Sequence, residues 1–124
     1  MPAQTVVAWS KHDGHGHKHA DEPSLHFWSR GYDWVTAAGY WPYDLAGLAQ
    51  ANGWPGSNAP HTVGEKADSV RTVRLLAHGS DASVHMVDVE NQRKDGLRIR
   101  RQVIQLSSDV LLVLDDVQGA NKPV

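Results

Sequence analysis

Four histidines, His12, His15, His17 and His19, fall within eight residues in the stretch KHDGHGHKHADEP, and Asp21 follows them. Side chains on an extended backbone alternate with period two, so His17, His19 and Asp21 would share one face. Two imidazoles and a carboxylate are suitable ligands for zinc or another first-row dication. His61, in NAPHTVG, is the natural candidate for a further ligand from elsewhere in the chain. His12 and His15 stand among glycines and read as solvated. A histidine- and glycine-rich stretch can equally bind metal only adventitiously, so spacing alone leaves both readings open. His26, His78 and His85 are lone histidines on strand-like segments and read as surface or hydrogen-bonded structural residues.

A second set of residues could act on sugars. Trp28, Trp34, Tyr40, Trp41, Tyr43 and Trp54 lie within 27 residues. Aromatic faces stack on pyranose rings, whose axial C–H groups are apolar while their hydroxyls need polar partners. Trp28 and Trp34 read as core residues of a hairpin. Trp41 and Trp54 fall in a loop and are the candidates for substrate binding.

These residues need elements to hold them. The 124-residue length suits one domain spanning 1–124. With 40% hydrophobic and 21% charged residues, the composition is that of a globular chain. The net charge of -2 comes from mixed acidic and basic residues, which argues against nucleic acid as a partner. The absence of cysteine excludes disulfides, thiolate metal sites and a cysteine nucleophile. The start, MPAQTVVAWSKHD, has no basic n-region and is not expected to be a signal peptide. No window has the roughly eighteen apolar residues of a membrane-spanning helix.

Residues 66–118 read as strands with turn-like separators at 78–83, 91–96 and 107–109. SVRTVRLLAHG places Val73, Leu75 and Ala77 on one face. ASVHMVDVEN places Val87 and Val89 opposite Val84 and Met86. In LRIRRQVIQLSS the apolar parity changes near Arg100 and Arg101, which predicts a bulge or twist. The continuous apolar run Val110–Leu114 predicts a central strand buried on both faces. Upstream, 24–31 and 33–39 read as a hairpin turning at Arg30–Asp33. Residues 40–60 form a long Gly/Pro/Trp-rich loop in which 44–53 allow one or two helical turns, capped by Asp44 and stopped by Gly53. The rhythm is that of an antiparallel all-β sandwich.

HKHADEPSLHFWSRGYDWVTAAGY resembles the heparinase II/III-like family of polysaccharide lyases, which carries H-x-H-x-D, a Ser and an apolar strand, a Gly turn, and a second strand ending in D-x-G. His17, His19, Asp21, Ser24, Gly31, Gly39 and Tyr40 fall in the matching places. APHTV at 59–63 resembles the family's later A-H-N-T-V, and LVLDDVQG its apolar strand ending in Asp and Gly. The resemblance covers about residues 9–119.

The resemblance implies the first part of a C-terminal β-sandwich whose companion is an N-terminal α/α toroid, so the chain is expected to be a fragment lacking that toroid. It implies cleavage of an acidic, uronic-acid-containing polysaccharide by β-elimination, in the periplasm or outside the cell. His17 would inherit a catalytic role, with Tyr40 or Tyr43 as its partner within this chain. His19 and His61 would bind a structural zinc. The family's remaining ligand, the Asp of D-x-G, is replaced here by Ala37, so Asp21 or Asp44 would have to substitute. With the toroid's groups absent, the isolated chain is expected to be inactive. The rivals are a non-catalytic carbohydrate-binding or structural module, with a homodimer covering exposed aromatic surface or open strand edges, and a small cupin-type metal-binding protein.

Overall fold

The computed structural model describes residues 3–7 and 19–124. Its strands form two antiparallel sheets. The smaller has order β1–β2–β3, from Ala3–Val7, Leu25–Ser29 and Tyr32–Val35. The larger has order β4–β5–β6–β7, from Arg71–Ser80, His85–Arg93, Arg98–Gln105 and Leu111–Gln118. Leu25, Phe27 and Val103 pack between the sheets, with Ala3, Val7, Val35 and Leu111 around them. The fold is a β-sandwich, as the strand rhythm predicts. β1 went unread in the sequence because five residues with one short apolar run carry little periodicity.

The hairpin joining β2 to β3 turns on two residues, Arg30 (φ 53°) and Gly31 (φ 87°). Two successive left-handed residues match the twist of the flanking strands. The pairing then skips one residue, from Phe27–Val35 to Trp28–Asp33. Trp34 is the extra residue, and it is 61% exposed instead of lying in the core. A bulged residue leaves the alternation that would have carried its side chain inward.

Two strand expectations are corrected. β6 runs unbroken between both neighbours, with no bulge at Arg100 or Arg101. The apparent parity change arises because Arg101, a charged residue, occupies an inward position between Ile99 and Val103 and is itself buried. The irregularity lies instead in β4, between Leu75 and Ala77. The run at Val110–Leu114 is not central: β7 is an edge strand, and Leu112, Val113 and Leu114 are 40–50% exposed. An unbroken apolar run has no period, so it does not reveal a strand's place in the sheet.

On the outer face of the larger sheet, Asp88 and Glu90 are buried beneath arginines. Arg100 and Gln102 both bond Asp88, while Arg74 and Arg98 pair with Glu90. The hydrogen bond from Arg100 holds the Asp88 carboxyl below the usual carboxylate range, against the opposing effect of burial.

The long loop is partly folded. Leu48–Asn52 form α1, entered through Gly47 rather than Asp44 and ended by Gly53 as expected. A 3-10 turn follows at Trp54–Gly56. A β-carbon at Gly56 would lie 2.1 Å from the Ala51 carbonyl oxygen, so only glycine allows this close return.

Candidate functional site

Residues 19–24 and 58–62, which carry the described candidate ligands, have no strand ladder to satisfy their backbone. Their carbonyls are instead met by polar groups from neighbouring segments and the inner face of the larger sheet. Arg71 Nη2 donates to His19 O (3.0 Å), Ser57 Oγ to Ala20 O (3.0 Å), and Asn91 Nδ2 to Glu22 O (3.0 Å). Arg101 Nη1 donates to Pro23 O (2.7 Å) and also to Asn58 O (3.0 Å), tying the two segments together. Asn58 in turn accepts from Leu25 N and donates to Leu25 O, fixing where β2 begins. Arg93 Nη2 reaches Pro60 O (3.3 Å).

The arginines are charge-balanced. Arg71 and Glu22 form an ion pair at 2.9 Å with both side chains 0% exposed. Arg93 pairs with Glu65 at 2.6 Å, and Arg101 with Asp115 at 2.7 Å. Burial pushes the Arg93 pKa down, and the hydrogen bond that Arg93 donates to Glu65 opposes it. Arg93 Nη1 and Asn91 Oδ1 are buried with no hydrogen-bond partner among the described residues.

Trp54 sits inside this network and is only 2% exposed. The guanidinium carbons of Arg71 and Arg93 lie 4.9 and 4.7 Å from its ring centroid. The His61 ring stacks on it at 5.4 Å and 9°. The expectation that Trp54 offers a face to sugar is therefore corrected. Tucked against the Ala20–Ala59 cluster, the ring is a structural contact for His61.

His61 Nδ1 is 3.0 Å from Ala59 O. A carbonyl only accepts, so this hydrogen bond takes the proton on Nδ1, and in the neutral ring the lone pair is then on Nε2. That is the arrangement a metal ligand or a base requires. His19 and Asp21 are half-buried at the start of the pinned segment. His12, His15 and His17 lie outside the described residues. Among the described residues, no three His, Asp or Glu side chains come together as a metal site. The donors described here are thus too few to hold zinc by themselves. At the position of the missing family carboxylate, Ala37 is half-buried, and its neighbour Ala38 donates to Gly56 O. Asp44, the other suggested substitute, is exposed in the loop.

Tyr40 and Tyr43 are 77% and 63% exposed and meet edge to face at 6.5 Å. Trp41 donates through Nε1 to Ala46 O, and its ring packs against Gly47. Of the two tryptophans expected to meet sugar, Trp41 alone keeps accessible surface. Sequence reasoning missed Glu22, Asn58, Arg71, Asn91, Arg93 and Arg101. For three of them a signal existed: Asn91, Arg93 and Arg101 share strand parity with Val89 and Val103, a polar series on a core-facing register.

The family model described as heparinase II/III-like, C-terminal, matches residues 3–123. No curated protein and no solved structure matches the chain. With a match over nearly its whole length, and with the family's histidine segments pinned side by side on one sheet, the chain belongs to the heparinase II/III-like C-terminal family.

Proposed function

We propose that this chain is the sandwich portion of a polysaccharide lyase that cleaves uronic-acid-containing polysaccharide by β-elimination, working with an α/α-toroid partner in the periplasm or outside the cell. The observation that carries this reading is the family match combined with the fixed tautomer of His61. In such a reaction a base removes the proton α to the uronate carboxylate, and an acid protonates the departing glycosidic oxygen. The tyrosine hydroxyls of Tyr40 or Tyr43, with His17, are the groups we assign to this proton transfer. Trp41 offers a stacking surface beside them in the same loop. His19 and His61 are the residues we assign to zinc, which would need a further donor because they do not gather with Asp21 into a three-ligand site. A bound zinc would supply a structural cross-link between the two segments.

Incubating the chain with uronate polymers and following the ultraviolet absorbance of the unsaturated product tests the assignment. The isolated chain is expected to yield none at a useful rate, because removing members of a catalytic set collapses activity by orders of magnitude. Activity is expected to appear when the toroid partner is supplied and to be lost in His17→Ala. Robust product from the chain alone would overturn the division of labour. A non-catalytic carbohydrate-binding module is the second reading, favoured by the outward-facing Tyr40, Trp41 and Tyr43.

A further inference from the structure

The other end of β2 carries a different constellation. This strand runs from the pinned segment at Leu25 to the turn at Arg30–Gly31, which places Arg30 roughly 17 Å from Leu25 at strand rise. Beside the turn lies a cleft of ≈ 530 Å³ between the β3 and β7 edges. Phe27, Val35, Leu111 and Val113 form its apolar lining. The indole of Trp34 forms one wall and is 61% exposed. Its Nε1 donates to Ser29 O (3.0 Å), so the ring is held in one orientation. Tyr32, also exposed, meets Trp34 edge to face at 6.0 Å. At the rim, Arg30 grips Asp109 through two hydrogen bonds, Nε to Oδ1 at 2.6 Å and Nη2 to Oδ2 at 2.5 Å.

We propose that this cleft is a saccharide-binding site separate from the histidine segments, and that it takes an uncharged pyranose unit on the Trp34 face. The proposal rests on the polysaccharide reading above and adds a second place of contact. An oriented, exposed indole beside an apolar wall matches the C–H face of a sugar ring. The rim offers fixed donors and acceptors for hydroxyls, yet Arg30 and Asp109 cancel in charge. Such a rim discriminates against a carboxylate, which would have to compete with Asp109 for the guanidinium. An extended peptide fits less well, because β3 is four residues long and bulged, and offers little edge to pair with.

The test is an NMR titration of the full chain with chitotetraose, a neutral oligosaccharide, and with tetragalacturonate, in which every unit is acidic. Chitotetraose is expected to shift the Trp34 indole N–H resonance, and Trp34→Ala to weaken its binding roughly tenfold. Tyr32→Ala serves as a second variant at an exposed position, and Leu76→Ala, exposed on β4 and not lining the cleft, as the control that leaves this affinity unchanged. Tetragalacturonate binding that depends on Trp41, together with no chitotetraose binding at Trp34, would uphold the polysaccharide reading and overturn this site. Chitotetraose binding insensitive to Trp34 and Tyr32, or a Trp34 resonance that shifts only with protein concentration because a second copy fills the cleft, would also overturn it. Failure of both oligosaccharides to bind would count against this site and the polysaccharide reading together.

Discussion

Replacing Arg71 with methionine removes the central clamp of the candidate site while keeping most of the side chain's volume. The change deletes the 2.9 Å contact to Glu22 and the bonds to the carbonyls of Ala67, Ser69 and His19. It also leaves the Glu22 carboxylate buried without its guanidinium. Breaking one side of a buried ion pair costs about 3–5 kcal/mol, against a total stability of about 5–15 kcal/mol for a domain. With a urea dependence of about 2 kcal/mol per molar, the unfolding midpoint should fall by roughly 2 M. Urea denaturation of Arg71→Met, Glu22→Gln and the double variant checks this. The two single losses should sum to more than the double variant shows, with a coupling of about 1–3 kcal/mol. A loss below about 1 kcal/mol for Arg71→Met, or strictly additive losses, would refute the reasoning that this pair is a mutually dependent anchor.

The remaining predictions follow from the same geometry. Zinc content of untagged protein, measured by elemental analysis, should fall in His61→Ala, and Ala37→Asp should tighten zinc at least roughly tenfold by restoring the family's carboxylate. Asp88 has a folded pKa below its unfolded value, so its contribution is present above about pH 4 and is lost as pH falls through the folded value; Asp88→Asn should flatten the acid limb of a stability–pH profile, and an unchanged limb would remove Asp88 as a contributor. Leu112 and Leu114, exposed on the β7 edge and outside the Trp34 cleft, should drive concentration-dependent dimerisation seen by light scattering, and Leu114→Lys should abolish it.

The sandwich was legible in the sequence because β4, β5 and β6 alternate and their turns are marked by Gly, Asp and Ser. The place of β7 was not, since a run such as VLLVL carries no face information. The histidine segments were recognisable by spacing, and His61 by its place after the loop. Trp54 was misread because composition marks a Gly/Pro-rich stretch as exposed, whereas α1 and the following 3-10 turn fold it inward onto Arg71 and Arg93. Trp34 was misread in the opposite sense, because a one-residue bulge leaves no mark in the alternation of so short a strand.

The buried arginines explain why a small sandwich accepts charge on its inner face. Well-packed apolar residues there would be at least as stabilising, since desolvation offsets most of the gain from a buried ion pair. Apolar side chains, however, cannot satisfy backbone carbonyls. Residues 19–24 and 58–62, which carry His19 and His61, are irregular, so several of their carbonyls need donors that no strand ladder supplies. A guanidinium offers five N–H groups in a rigid fork. Arg101 uses one nitrogen to hold Pro23 O and Asn58 O together, and Arg71 spans His19, Ala67 and Ser69. The sheet thereby lends its rigidity to two loops, which is what a constellation of side chains from separate segments requires in order to keep its geometry.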